Sequence, residues 1–500
     1  MPTLTFEEAY RYWRNKARRY SSISLLSKCF NALGSSRLGD ADSMRHAPWQ
    51  ITLMVKWICQ DHRMHSAREV TDDEFLSLRQ TLWDIQNRID LNCGGSLPGY
   101  LLFRQLTNSQ LGFQRRISRG FVRDAAMLHL MDDNNKVKRH FEDSTGLSPR
   151  EFIDLAYITL ALCESSESRI LSARSYKDLC VAFGEDKVNA FLKLVSADLD
   201  ELIGYCSALF DARKRVTSEY FEFPPIKRFP LFRTPDGFLV WHKAILYRSL
   251  ESLAHIVLSS DPHIFNRFTK VFEHHVVAEA RRFPGEFFDE NQLKQWLPKG
   301  SNVPEGLIAF HDANVFIESK AGVFDEQIMT VGNAEIFRDR TWNLTKAIQQ
   351  GVSASQGLRD NQSLPPRIRE QKADYLIVVT NRELALGNGA RFMSMHAPKN
   401  RFDFGECSTL PATHVYFVHI DDFERLVSNC VDRGLHLPSI LAQCVEADAH
   451  ADSSVFFFSQ HLDRLGFSRS MSALVTNAHA DVFDRLTLIA PNQDSVAEMN

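Results

Sequence analysis

Residues 304–322, PEGLIAFHDANVFIESKAG, determine the predicted fold of the C-terminal part of the chain. Two apolar runs, LIAF and VFIESK, flank a short polar segment, which is typical of two strands joined by a turn. The second run ends in Glu318-Ser319-Lys320. Because residues two apart in a strand share a face, the carboxylate of Glu318 and the ammonium group of Lys320 are predicted to point to the same side.

Two opposite charges on an apolar strand carry a desolvation cost unless they are satisfied or used. A divalent metal ion that activates a water molecule would use both groups. Glu318 would be a metal ligand, and Lys320 would orient the attacking water or neutralise a phosphate. This pattern therefore predicts a divalent metal site with a lysine beside it.

Such a site needs a second carboxylate, and the expected hairpin favours Glu305. If the hairpin turns at Asp312-Ala313, position 305 faces Lys320 and lies diagonal to Glu318 on the same face. Asp312 would lie at the turn, about 20 Å from Glu318 at roughly 3.3 Å per residue. Glu305 is the stronger prediction, and Asp312 stays an alternative because a bulge would change the register.

The order Glu305, then Glu318-Ser319-Lys320, resembles the PD-(D/E)XK nuclease superfamily over residues 262–425. The resemblance implies an αβββαβ core with a mixed sheet and a Mg²⁺-dependent endonuclease activity. It also implies catalytic and metal-binding roles for Glu305 and Glu318, a catalytic role for Lys320 and a further metal ligand on the first helix, Glu273. The helix after the motif would bring Lys346 and Gln349 to the substrate. The chain departs from the family in having Glu305 where aspartate is usual, and in a barely recognisable first strand within residues 283–303.

The length of 500 residues suggests several domains of an α+β multidomain protein. Residues 1–220 are predicted to be mostly helical and to serve in sensing or substrate binding. Residues 221–260 would form a connector with a small β-element and a helix. Residues 261–500 would form a restriction-endonuclease-like domain with a helical C-terminal extension. Within it, the polar stretch 353–372 is predicted to be a mobile loop.

Charge and cysteine usage limit the class of protein. Lys and Arg number 58 against 62 Asp and Glu, which excludes a protein that coats nucleic acid by bulk charge. The nine cysteines are scattered without a C-x-x-C motif, as expected of reduced thiols. No stretch approaches 18 apolar residues. We therefore expect a cytoplasmic protein that has no membrane partner.

A basic stripe is a second candidate contact with nucleic acid. In FQRRISRGFVRD, a helical spacing would align Arg115, Arg119 and Arg123, with Arg116 beside them. Such a stripe could hold phosphates, although an ordinary charged helix face has the same pattern. Arg123 and His129 also fit the loose Arg-to-His spacing of helical ribonucleases.

Together these features predict a metal-dependent endonuclease that cuts DNA or transfer RNA. The resemblance extends to bacterial antiphage effectors, which implies a phage-derived protein trigger and control by the N-terminal region. One alternative is a catalytically inactive nuclease fold that binds or senses nucleic acid, and another is ribonuclease action by the helical part. The choice of DNA or RNA, the cleavage specificity, the trigger and the oligomeric state stay open at the level of sequence.

Overall fold

The computed structural model describes most of the chain and divides it into two compact units. The described residues are 5–35, 47–86, 99–111, 113, 120–165, 169–209, 221, 225–322, 327–330, 333–404 and 409–489. The first unit comprises residues 1–96, 105–260 and 477–500, and the second comprises residues 97–104 and 261–476. The predicted connector, residues 221–260, lies wholly in the first unit.

The first unit is mostly helical, and capping boxes begin several of its helices, among them α1 and α8. The carboxylate of Glu8 accepts a hydrogen bond from the backbone N–H of Thr5 at 2.8 Å, and Ser148 and Glu151 cap each other in the same way. Its helices are α1 (Phe6–Ala17), α2 (Ser22–Ser35), α3 (Pro48–Gln60), α4 (Asp72–Gln86), α5 (Gly99–Leu111), α6 (Gly120–His129), α7 (Lys136–Thr145), α8 (Pro149–Ser165), α9 (Ala173–Phe183), α10 (Glu185–Val195), α11 (Leu199–Ala208) and α12 (Lys243–Ser259). The division into units assigns the first residues of α5, up to Arg104, to the second unit.

A small four-stranded sheet completes the first unit. Its strands are β1 (Ile170–Ser172), β2 (Ser196–Ala197), β3 (Leu231–Thr234) and β4 (Gly237–Val240), in the order β1-β4-β3-β2. The antiparallel pair β3–β4 is the small β-element predicted from residues 221–240. The strands β1 and β2 were not predicted, because runs of three and two residues carry no periodicity.

The second unit alternates helices and strands. In chain order its elements are α13 (Pro262–Ala280), β5 (Glu286–Asp289), α14 (Glu290–Trp296), β6 (Gly306–Ala309), β7 (Ala313–Lys320), α15 (Gln327–Thr330), α16 (Ala334–Arg340), α17 (Trp342–Asp360), α18 (Pro366–Arg369), β8 (Ala373–Thr380), α19 (Gly389–Ser394), β9 (Val415–His419), α20 (Ile420–Asp432), α21 (Leu437–Asp448), α22 (Phe458–Arg464) and α23 (Ala473–Ile489). The last helix passes from the second unit into the first at residue 477. Asp261 caps α13, accepting a hydrogen bond from the N–H of His263 at 2.8 Å.

The five strands of the second unit form one mixed sheet in the order β5-β6-β7-β8-β9. The pairs β5–β6 and β6–β7 are antiparallel, whereas β7–β8 and β8–β9 are parallel. The short strand β5 lies within residues 283–303, where a first strand is barely recognisable from the sequence pattern. Apart from the intervening helices α14, α15, α16 and α18, the elements from α13 to β8 run in the order helix, three strands, helix and strand.

Strand β7 is buried on both faces, as its central position in the sheet requires. Phe316 belongs to one apolar cluster, which includes Leu344 and Ile348 of α17. Val315 and Ile317 belong to the opposite cluster, which includes residues of α13, α20 and α21. The sheet is therefore the middle of three layers. Since both faces of β7 are covered, only its ends are available for a polar site.

Residues 353–372 are not the loop that the sequence predicts. Helix α17 continues to Asp360, and α18 follows. The polar composition of this stretch misled the prediction, because its few apolar residues all face the core: Ala354 and Leu358 are buried. Close packing supports this part of α17, since a Cβ at Gly351 would approach Leu376 of β8 to 2.8 Å.

The second unit is therefore an α/β layered domain and the first a mostly helical one, which confirms the predicted α+β multidomain class. None of the helices in the described ranges combines the length and apolar character needed to cross a membrane.

A buried ion pair attaches α17 to β8 and yields a prediction about stability. Asp374 is fully buried, and its Oδ2 lies 2.5 Å from Arg359 Nη1. Burial raises the pKa of Asp374, and the guanidinium opposes that rise. Arg359→Ala leaves this carboxylate without its charged partner, so we expect the free energy of unfolding to fall by about 3–5 kcal/mol in a urea titration.

Arg367→Ala is the matched control. Arg367 pairs with Glu286 at 2.7 Å, but both side chains are largely exposed. We expect this change to cost less than about 1 kcal/mol. Equal losses for the two variants would contradict a structural role for the buried pair.

Candidate functional site at the carboxyl end of strand β7

The hairpin β6–β7 turns one residue earlier than the sequence predicts. Phe310 N–H donates to the carbonyl of Ala313 at 2.9 Å, so the turn is His311-Asp312 rather than Asp312-Ala313. Gly306 pairs with Ile317, which places Glu305 opposite Glu318 instead of Lys320. Moving the turn by one residue along the chain moves each cross-strand partner by two residues. Because side chains alternate between the two faces of a strand, a move of two residues keeps them on the same face. Glu305 and Glu318 therefore share a face as predicted, and their carboxylates lie closer together than expected.

Ser319 holds the carboxylate of Glu305. Its backbone N–H donates to Glu305 Oε2 at 2.9 Å, and its hydroxyl donates to Glu305 Oε1 at 3.2 Å. This role was not predicted from the sequence, because Ser319 stands at the variable position of the motif. The available signal was a polar residue shortly after the apolar run Val315-Phe316-Ile317 of the same strand.

Glu318 is 1% exposed and lies at the end of the buried strand. Its Oε1 accepts a hydrogen bond from the ammonium group of Lys320, as the shared face of the two residues predicts. Its Oε2 is shielded from solvent and has no hydrogen-bond partner among the described residues. A buried carboxylate oxygen without a donor is the kind of atom that a bound cation would satisfy.

The two carboxylates influence each other. Burial raises the pKa of Glu305 well above its usual range, and the negative charge of Glu318 raises it further. The ammonium group of Lys320 and the N–H of Ser319 act in the opposite direction. Placing two carboxylates side by side is unfavourable unless a cation or proton lies between them. The arrangement is therefore electrostatically suited to a cation.

A cleft of about 370 Å³ opens onto this pair. Its charged lining comprises four carboxylates and two ammonium groups, so the described side chains leave an excess of negative charge. The lining residues are Asn266, Thr269, Lys270, Glu273, Glu290, Val303, Glu305, Glu318, Ser319, Lys320, Ala321, Gly322, Asn343 and Gln350.

Glu273 reaches the same cleft from α13, as predicted. It accepts a hydrogen bond from Lys270 at 2.6 Å, and this bond is the main cause that raises the pKa of Lys270. Glu273 is 19% exposed, whereas Lys270 is 68% exposed. Lys270 was not predicted as a site residue, although it lies one helical turn before Glu273 and faces the same cleft.

Asp312 takes no part in this site. It lies in the turn at the opposite end of β7, where its carboxylate contacts His311 and His436. Of the two carboxylates considered from the sequence, the structure thus brings Glu305, and not Asp312, to Glu318.

Lys346 and Gln349 line a neighbouring cleft of about 620 Å³ rather than the carboxylate cleft. Gln350 lines both, so the two clefts adjoin. Trp342 is 47% exposed, and the centroid of its ring lies 5.7 Å from the ammonium nitrogen of Lys346. Trp342 was not predicted as a site residue, although it begins the same helix, α17.

The predicted basic stripe is not an exposed surface at Arg123. This side chain is only 1% exposed, within α6. The prediction was wrong because most of the circumference of α6 is apolar and buried. Helical spacing of the arginines alone does not identify which side of the helix is exposed to solvent. Arg115, Arg116 and Arg119 lie outside the described residues. His129 is exposed while Arg123 is buried, so the two do not share a solvent-facing surface as a ribonuclease pair would.

The site fits a hard divalent cation. Glu305, Glu318 and Glu273 provide oxygen donors only, which suits Mg²⁺ and Mn²⁺. The unsatisfied oxygen of Glu318 supports such an assignment from the geometry itself. The structure thus brings together four predicted residues, Glu273, Glu305, Glu318 and Lys320.

No protein-family model, curated protein or solved structure matches this chain. The resemblance to PD-(D/E)XK nucleases therefore rests on the residues and spacing of this sequence.

The raised pKa of Glu305 yields a prediction about pH. In the folded protein the carboxyl group of Glu305 stays protonated at pH values above its ordinary pKa of 4.5. The stability that this protonated group contributes is therefore complete below pH 4.5 and is lost as the pH rises through the raised pKa. Glu305→Gln cannot lose a proton. In EDTA, we expect this variant to melt roughly 2–4 °C above the unmodified protein at pH 8, and the difference to shrink towards pH 5.

Glu290→Gln provides the control, because Glu290 lines the same cleft but is 43% exposed and paired with Lys294. We expect no such pH-dependent gain from it. Adding Mg²⁺ should raise the melting temperature of the unmodified protein and leave that of Glu305→Gln nearly constant. An Mg²⁺ response that is unchanged in Glu305→Gln would contradict the assignment of Glu305 as a ligand.

Proposed function

We propose that the second unit is a metal-dependent phosphodiesterase that cuts nucleic acid by a PD-(D/E)XK-type mechanism. One observation carries the proposal: Glu305 lies opposite Glu318 across two strands, and Lys320 is hydrogen-bonded to Glu318. Two carboxylates and a lysine in this arrangement supply the groups that hydrolysis of a phosphodiester requires.

Glu318 and Glu305 would hold Mg²⁺ or Mn²⁺, with Glu273 as a further ligand. When bound, the ion would lower the pKa of a water molecule and stabilise charge on the phosphate. Ser319 fixes the carboxylate of Glu305 through two hydrogen bonds, so this ligand is oriented in advance. The oxygen of Glu318 that has no donor would gain the partner it lacks.

Lys320 would position the attacking water and stabilise the developing negative charge. Its side chain is 21% exposed, so the ammonium group reaches the cleft while its stem is packed. Lys270 adds a second ammonium group to the lining and would contact a neighbouring phosphate.

Two features of the fold support the proposal. The elements α13, β5, β6, β7, α17 and β8 run in the order that the resemblance implies. The site also lies at the carboxyl end of β7, the strand at which pairing changes from antiparallel to parallel, and ligands of α/β proteins commonly bind at the carboxyl ends of strands.

A catalytically inactive nuclease fold is the alternative in which this site only binds or senses nucleic acid. Both acidic groups of the motif and its lysine are present and face one cleft, which favours catalysis. Ribonuclease action by the helical part is less well supported, because Arg123 is buried. From the resemblance alone, we also propose that the setting is bacterial antiphage defence with a phage-derived trigger.

The adjoining cleft on α17 would hold the nucleic acid beside the scissile phosphate. Lys346 offers a cation and Gln349 a hydrogen-bonding amide, while exposed Trp342 offers a surface on which a base can stack. These groups would contribute to binding rather than to the chemical step.

Loss of Lys320 tests the proposed chemistry. Lys320→Ala should reduce metal-dependent cutting at least about 100-fold, because charge stabilisation and water positioning are lost together. The assay incubates the full chain with plasmid DNA and with total transfer RNA, in Mg²⁺, Mn²⁺ or EDTA. The substrate that is cut identifies the nucleic acid.

Lys372→Ala is the matched control, since Lys372 is exposed and precedes β8 at the opposite end of the sheet. It should cut at the unmodified rate. Cutting that survives Lys320→Ala would contradict the proposed site. If the purified protein is inactive, the assay is repeated with phage-infected lysate as the source of a trigger, and inactivity there would favour the binding-only alternative.

Loss of Lys346 tests the proposed binding surface. Lys346→Ala should weaken nucleic-acid binding and reduce the slope of log K against log salt by about 1, because one phosphate contact disappears. Fluorescence anisotropy in EDTA measures binding without cutting. An unchanged salt dependence would show that Lys346 contacts no phosphate.

A further inference from the structure

A second cluster of metal-ligand side chains lies at the turn of the β6–β7 hairpin, remote from the carboxylate cleft. It comprises His311 and Asp312 of the turn and His436, the residue before α21. His436 Nε2 lies 3.3 Å from Asp312 Oδ1, and His311 Nδ1 lies 3.7 Å from the same oxygen. The three ligand atoms all fall within 4.8 Å of one another.

These distances match the spacing of ligands around one ion. Two ligands that are each about 2.1 Å from a tetrahedral metal lie roughly 3.4 Å apart. Both short distances in the cluster are close to this value. A single ion placed among the three atoms would therefore satisfy them without any large movement of the backbone.

Two of the ligand atoms have no other partner to explain their position. Asp312 Oδ1 and His436 Nε2 are both shielded from solvent and form no hydrogen bond among the described residues. They lie 3.3 Å apart, yet their geometry is not that of a hydrogen bond. Shielded polar atoms that converge without bonding require an explanation, and a bound cation between them supplies one.

The surroundings fix His436 in an orientation suited to metal binding. Its Nδ1 lies 3.0 Å from the hydroxyl of Ser439, so the other ring nitrogen is turned towards Asp312. The ring of Phe310 packs edge-on against the imidazole, with centroids 5.2 Å apart. Metal-binding histidines commonly have such a hydrogen bond on the second nitrogen, because it sets the tautomer and the direction of the lone pair.

The donor set differs in kind from that of the carboxylate cleft. Two imidazoles and one carboxylate favour a borderline transition metal such as Zn²⁺, whereas an all-oxygen set favours Mg²⁺. The two sites are also far apart, because six residues of strand separate Asp312 from Glu318, about 20 Å. The cluster therefore cannot share the ion proposed for the carboxylates.

We propose that His311, Asp312 and His436 form a Zn²⁺-type site with three protein ligands and one open position. The ion would connect the hairpin turn to the start of α21, two segments that are distant in sequence. Binding would stabilise the folded second unit, because an ion bound only by the native state shifts the unfolding equilibrium. The site rests on its own residues and is independent of the proposed nuclease function.

Metal titration of the full chain tests this site. After removal of metals with EDTA and dialysis, Zn²⁺ is titrated by calorimetry with Mg²⁺ present to occupy the carboxylate cleft. We expect one equivalent of Zn²⁺ to bind and to raise the melting temperature. Co²⁺ should give the visible absorption of a low-coordinate site with nitrogen ligands, a readout that does not depend on any enzymatic activity.

His436→Ala and Asp312→Asn should each weaken Zn²⁺ binding at least about 100-fold and abolish the rise in melting temperature. His311→Ala is the variant that separates metal binding from folding, because the side chain of His311 is 80% exposed and its removal disturbs no core packing. Glu318→Gln is the control, and it should bind Zn²⁺ at this site as the unmodified protein does. Absence of Zn²⁺ binding, or binding unchanged in both His311→Ala and His436→Ala, would overturn the proposal.

Discussion

The register of the β6–β7 hairpin is the constraint on which the candidate site depends. The two-residue turn at His311-Asp312 pairs Gly306 with Ile317, and this pairing places Glu305 opposite Glu318. Ser319 then holds Glu305 through its N–H and its hydroxyl. A register different by one residue would send Glu305 to the other face of the sheet, away from Glu318. The proposed metal site therefore depends on the β6–β7 turn having two residues.

Strand β7 anchors the hairpin in the second unit, because it is also the central strand of the sheet. Because it is buried on both faces, its polar groups can only be placed at its ends, and each end has a different chemical character. The carboxyl end has oxygen donors and a lysine, which suit a hard cation and a phosphate. The turn end has two imidazoles and a carboxylate, which suit a softer ion. The apolar middle of the strand keeps the two sites apart and holds both in fixed positions.

Much of this arrangement could be predicted from the sequence, because apolar periodicity and caps report local structure directly. The hairpin and the shared face of Glu305 with Glu318 follow from such local signals. The exact turn did not, since two adjacent turns of the same chain fit the pattern equally well. Tertiary contacts determined the rest: α17 extends through a polar stretch because Leu358 packs in the core, and Arg123 is buried although its spacing indicated a surface stripe. The role of Ser319 depends on a cross-strand contact with Glu305, which a polar residue after an apolar run does not by itself identify.

Whether Glu305 and Glu318 share one divalent ion is tested most directly by anomalous diffraction from crystals of the full chain soaked in Mn²⁺. The predicted result is a Mn²⁺ peak between the two carboxylates, within roughly 2.1–2.2 Å of an oxygen of each. The oxygens that coordinate the Mn²⁺ ion should include Oε2 of Glu318, which has no hydrogen-bond donor among the described residues. Well-ordered carboxylates in the arrangement described above, with no Mn²⁺ peak between them, would contradict the proposed metal site and the nuclease chemistry built on it.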